Sequence, residues 1–126
     1  MKAAYLVSLA PSFEDDVWRA AATLGADVQG QCAQFRDDED HSLTIFGDLG
    51  QEGAWEWQQG PFEFRGTAPA PDLSRAAALS VECRWEDLFA SWVGRLAALL
   101  PAPSWVVDGD GVVWPATQVD PVALRL

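Results

Sequence analysis

A chain of 126 residues with 49% hydrophobic and 21% charged residues, among them seven Trp and six Phe, has the composition of one globular domain and not of a disordered segment. Eight basic against 19 acidic residues give a formal net charge of −11, which argues against a nucleic-acid binder or an anionic-membrane binder, since both need a positive surface. No apolar stretch approaches the roughly 18–20 residues that a membrane-spanning helix requires.

Tyr5-Leu6-Val7-Ser8-Leu9 predicts a first strand, ended by Pro11. The acidic run Glu14-Asp15-Asp16 follows too soon for this start to be a signal peptide. Ser12 stands three residues before Asp15, a variant of the capping box, and the three acids fall where a helix dipole favours negative charge. Phe13, Val17, Ala20, Ala21 and Leu24 then form the one-sided stripe of a helix from Phe13 to Leu24, with Gly25 as its stop. Ala26 to Phe35 reads as a loop with a short strand near Cys32. After a charged turn, Arg36 to His41, the segment Ser42 to Leu49 reads as a strand through Leu43-Thr44-Ile45-Phe46.

Trp55 and Trp57 alternate with Glu56, and Phe62 and Phe64 with Glu63, around Gln58-Gln59-Gly60-Pro61; this period of two predicts a hairpin. Thr67 to Pro71 is a joint between halves. Leu79, Val81 and Cys83 alternate with Ser80, Glu82 and Arg84 as a half-buried strand central to a sheet. Trp85, Leu88, Phe89, Trp92, Leu96 and Leu99 mark a second amphipathic helix closed by Pro101. Trp105-Val106-Val107 and Val112-Val113-Trp114 flank Asp108-Gly109-Asp110-Gly111, a hairpin signal that would let Trp105 and Trp114 pair across it. The expected fold over residues 1–126 is a single α+β domain. It is a two-layer sandwich with a mainly antiparallel sheet and both amphipathic helices on one face, ferredoxin-like with an added C-terminal hairpin.

Trp105 to Val112 resembles the apolar-strand-Asp-x-Asp opening of haloacid-dehalogenase-type phosphatases, which would make Asp108 the nucleophile and Asp110 the acid/base. Only fourteen residues follow Val112 and Lys2 is the only lysine, so the downstream phosphate and metal elements have no place and the segment reads as a turn. A calcium loop starting at Asp108 would need ligands at positions five and twelve, where Val112 and Val119 stand. His41 is the only histidine, and the widely spaced Cys32 and Cys83 make neither a disulfide framework nor a zinc pattern. No nucleophile triad and no phosphate-cradling glycine motif is present. The expectation is therefore a cytoplasmic protein that is not an enzyme and carries no metal or cofactor.

What remains is binding. Asp37, Asp38, Glu39 and Asp40 form an exposed acidic surface, and Trp55 and Trp57 are candidate anchors, because Trp is enriched at interface hot spots. The expected role is a protein-binding module, such as an immunity or inhibitor protein that covers a basic partner, a bacterial toxin for example. Two alternatives stand beside it: a small-ligand or regulatory domain with an aromatic pocket between the sheet and the Gly50 to Gly66 loop, and a structural subunit of a larger assembly.

Overall fold

Strand β1 (Ala3–Ser8) is built from side chains that are apolar on both sides: Leu6 and Val7 point to opposite faces of the sheet, and each is 0% exposed. It lies between β6 (Ala77–Cys83) and β7 (Ser104–Val107), antiparallel to both, with Leu6 opposite Leu79 on one side and Val106 on the other. The computed structural model describes residues 3–47, 49, 53–66 and 69–126. Among them the remaining elements are α1 (Phe13–Thr23), β2 (Asp27–Gln29), β3 (Cys32–Arg36), β4 (Ser42–Phe46), α2 (Trp55–Gln58), β5 (Glu63–Phe64), α3 (Glu86–Ala98) and β8 (Val112–Pro115). The fold is α+β, with one open sheet in the order β2-β3-β4-β6-β1-β7-β8-β5. Every neighbouring pair is antiparallel except β5 and β8, which run parallel.

Helices α1 and α3 cover one face. Phe13, Val17, Ala20 and Ala21 of α1 and Phe89, Val93, Leu96 and Ala97 of α3 are buried against Leu6, Leu43, Ile45, Leu79 and Val81 of the sheet. The ring of Trp92 stacks on Phe35 of β3 at 4.4 Å, with the Arg95 guanidinium 4.6 Å from its centroid. Ser12 does not close a capping box: its hydroxyl donates to the Asp16 carboxylate at 2.7 Å, one turn on, and no side chain caps the helix. The strand expected near Cys32 is β3, paired to β2 across a tight turn in which Gly30 has φ +59°.

On the opposite face the coverage is partial. Val7, Val107 and Val113 pack against Ala54, Trp57, Leu73 and Ala76, contributed by the segment between β4 and β6. Here the sequence expectation fails. Trp55 to Phe64 is not a hairpin, because Trp55–Gln58 coils into a single helical turn, with the Gln58 N–H bonded to the Ala54 carbonyl at 2.9 Å. Glu63 and Phe64 pair instead with Val112 and Val113 of β8. A four-residue helix is too short to display its period, and what fixes it is the Trp57 ring lying 4.9 Å from Tyr5 over the β1 face.

The C-terminal hairpin forms as expected but its tryptophans do not meet. Trp105 faces Pro115 and Val106 faces Trp114, so the two indoles project to opposite sides, Trp114 into the helix-side core and Trp105 toward the Trp57 cluster. The joint expected at Thr67 to Pro71 begins outside the described residues. Among the described residues, no helix is long and apolar enough to cross a membrane.

Trp57 is 4% exposed, yet its indole N–H finds no acceptor among the described residues. Truncation to Ala removes most of the cover over Val7 and is expected to cost about 3–5 kcal/mol. Trp57→Phe sheds the unsatisfied donor along with some area, so it should stay within about 1.5 kcal/mol of the parent. Urea unfolding of the two variants checks this, and equal losses would show that a smaller ring does not preserve the cover over Val7.

Candidate functional site

The turn joining β3 to β4 is organised by one carboxylate. Asp37 Oδ1 accepts the backbone N–H groups of Glu39 and His41 at 2.9 and 2.8 Å, and Oδ2 lies 3.1 Å from His41 Nδ1. The His41 ring in turn stacks on Trp85 at 4.1 Å and 28°, which ties the turn to the start of α3. Burial works against ionisation of Asp37, but the N–H bonds from His41 and Glu39 and the His41 ring outweigh it and hold the carboxyl below its ordinary 3.8. Asp40 adopts φ +63°, a conformation that Asp tolerates, and takes an ion pair from Arg36 at 2.9 Å. The four acids named from the sequence are thus not equivalent. Asp38, Glu39 and Asp40 are exposed, whereas Asp37 is committed to holding them.

Trp55 and Trp57, expected as a pair of anchors, separate in the same way. Trp55 is 60% exposed and Trp57 is a core residue, because one helical turn points successive odd positions in different directions. Trp57 therefore serves the packing of the second face, and Trp55 is the one that reaches the surface.

Sheet register brings the acidic turn and Trp55 to one end of the molecule. β3 ends at Arg36 and β4 begins at Ser42; Leu43 pairs with Cys83 at the end of β6, and Glu82 pairs with Ala3 at the start of β1. Tyr5, two residues on, donates its hydroxyl to Glu56 Oε2, which fixes α2 over that end. In the sheet β1 stands two strands from β4, a lateral offset of about 10 Å at about 4.8 Å per strand, and Tyr5 lies in register with Phe46, at the other end of β4 from Ser42.

Between α2 and the sheet lies a cleft of about 380 Å³, in the range of ligand-binding clefts, lined by Tyr5, Trp55, Glu56 and Phe62 and by Gly109 and Gly111 of the β7–β8 turn. Tyr5 was no sequence candidate, and a lone Tyr inside an apolar strand carries no signal of a partner 51 residues away. Its phenol is pushed up from 10.0 to about 12, first by burial, then by the hydrogen bond to Glu56 and by the charge of that carboxylate.

Asp108 also borders the cleft, but its oxygens are occupied. Oδ1 accepts from the N–H groups of Asp110 and Val112, and Oδ2 from Trp114 Nε1 and the Arg125 N–H, at 2.9 to 3.3 Å. At 5% exposure it is the structural centre of the hairpin, with Gly111 at φ +77° completing the turn. Among the described residues no group of three or more His, Cys, Asp or Glu side chains is placed to hold a metal ion. No family model, no curated protein and no solved structure matches this chain.

Tyr5 is the only tyrosine, so its ionisation can be read directly from phenolate absorbance. A raised folded-state value means that the neutral phenol stabilises the fold below pH about 10, and that this contribution disappears as pH rises through about 12. Glu56→Gln should lower the midpoint only in part, because burial is the larger cause; an unchanged midpoint would show that the hydrogen bond does not persist in solution. A second variant, Asp108→Ala, strands four donors and is expected to cost about 3–5 kcal/mol in chemical denaturation. A loss below about 1 kcal/mol would mean that water replaces the carboxylate.

Proposed function

We propose that the chain is a protein-binding module for a basic partner, in the manner of an immunity or inhibitor protein. The observation that supports this reading most is the joint placement of Asp38, Glu39 and Asp40 with the exposed Trp55 at one end of the sheet. A net charge of −11 adds long-range attraction, which raises the association rate and disfavours acidic competitors. Trp55 supplies the apolar contact that charge alone lacks. For the fold we propose a ferredoxin-like centre, carried by the strand order β4-β6-β1-β7 with α1 after β1 and α3 after β6, and extended by β2 and β3 at one edge and by β8 and β5 at the other.

The cleft beside Trp55 favours a second reading, a small-ligand-binding domain, because its three aromatic side chains and the Glu56 carboxylate form a recognition set for a molecule of modest size.

The test of the first reading is capture of partners on the immobilised chain, eluted by salt, in parallel with the variant Asp38→Asn/Glu39→Gln/Asp40→Asn. Asp37 is kept so that the turn survives. A basic protein that binds the parent should lose about tenfold or more in affinity to the variant at low salt, mainly through slower association, with a shallower salt dependence. Equal affinity and equal salt dependence would remove the acidic turn from the interface.

A further inference from the structure

We propose that the cleft between α2 and the start of β1 is a receptor for one arginine side chain, presented by the basic polypeptide that the acidic turn attracts; this rests on the reading above and names its anchor. Three features support a guanidinium over other groups. Tyr5, Trp55 and Phe62 line the cleft with aromatic rings, whose faces attract a flat cation. Glu56 brings a carboxylate to the same cleft, and the hydrogen bond from Tyr5 fixes the orientation of that group while using one part of its acceptor capacity. The opposite part of the lining, Gly60, Pro61, Gly109 and Gly111, carries no charged side chain that would compete with Glu56 for a cation.

The rest of the cleft argues against an anionic ligand. Asp108, the other carboxylate on the lining, is nearly sealed and fully hydrogen-bonded, and among the described residues no Lys or Arg borders the space. A lysine ammonium would gain the charge term but not the flat stacking or the two-pronged bond to a carboxylate that a guanidinium makes. The acidic turn, at the same end of the sheet, adds further negative charge that attracts the basic residues flanking such an arginine.

The full chain, labelled with nitrogen-15, is titrated with N-acetyl-arginine amide, with its neutral isostere N-acetyl-citrulline amide, and with a pentapeptide of one arginine flanked by two lysines on each side. Saturable shifts at the Trp55 indole N–H and at the Gly109 and Gly111 amides are expected with arginine, and about tenfold weaker binding with citrulline. Glu56→Gln should erase the preference for arginine over citrulline, and Trp55→Ala, at a position 60% exposed, should weaken both. The pentapeptide should bind more tightly than the single residue by about tenfold, and that gain should vanish in the Asp38→Asn/Glu39→Gln/Asp40→Asn variant. Equal affinity for arginine and citrulline, shifts confined to residues outside the cleft, or indifference to Glu56→Gln would overturn the site. A pentapeptide no tighter than the single residue would overturn the polypeptide source. If the capture experiment yields no basic partner while N-acetyl-arginine amide still saturates the cleft, the partner reading fails and the cation site stands. A basic partner that binds without moving Trp55 has the opposite meaning: the partner reading stands and the cleft is not its anchor.

Discussion

The architecture follows from one strand that is apolar on both sides. Leu6 and Val7 are adjacent in β1, point to opposite faces and are both inaccessible to water, so the sheet must be covered twice where β1 runs. The helix side is simple, since α1 and α3 each follow a strand and fold back over the same face. The other side needs cover from outside the two long helices, and Ala54, Trp57, Leu73 and Ala76 supply it. Burying Val7, Val107 and Val113 there offsets the entropy of ordering the residues that cover them.

That cover stops at β1. Toward β4 and β3 the same face carries Ser80, Glu82, Thr44 and Gln34, with Gln34 donating to Thr44 at 3.2 Å, so it can meet water. Tyr5 sits at the border between the dry and the wet halves. Its ring packs on Trp57, and its hydroxyl turns to Glu56 at the rim of the cover. The hairpin that closes the far wall is held by a buried carboxylate that accepts from its own turn, from Trp114 and from Arg125 near the C-terminal end. Asp108 thereby joins the turn, the helix-side core and the tail at a single point.

What could be read from the sequence divides along the same line. Helices α1 and α3 and strand β6 show their periodicity over enough residues to stand out, and each has one clearly apolar side. The turn after Arg36 announced itself by charge. The Trp55 to Phe64 segment misled because Trp-Glu-Trp and Phe-Glu-Phe alternate like strands, while the structure uses Trp57 as a lid over β1 and Phe64 as part of a two-residue edge strand. Neither role is local: one is set by the hydrophobic side of a strand fifty residues earlier, the other by a parallel neighbour near the C-terminal end. Trp105 and Trp114 show a related limit, since the hairpin was legible but its register, which decides the face each indole takes, was not. The Tyr5–Glu56 pair and the four bonds of Asp108 likewise depend on contacts between distant parts of the chain.

Exposed acids on a mobile loop would be a poor recognition surface, because ordering them on contact would consume much of the electrostatic gain. In the proposed binding role, Asp37 removes that cost in advance. By accepting two backbone N–H groups and engaging the His41 ring, it sets the conformation from which Asp38, Glu39 and Asp40 project, and the stacking of His41 on Trp85 anchors that turn to α3. Trp55 is fixed by comparable means, since its neighbour Glu56 is bonded to Tyr5 and the turn of α2 is pinned by Trp57. In both places one side chain is committed to the fold so that adjacent ones are displayed in a set direction. The same division of roles explains why the sequence names more candidate contact residues than the surface presents: part of each apparent cluster is scaffold for the rest.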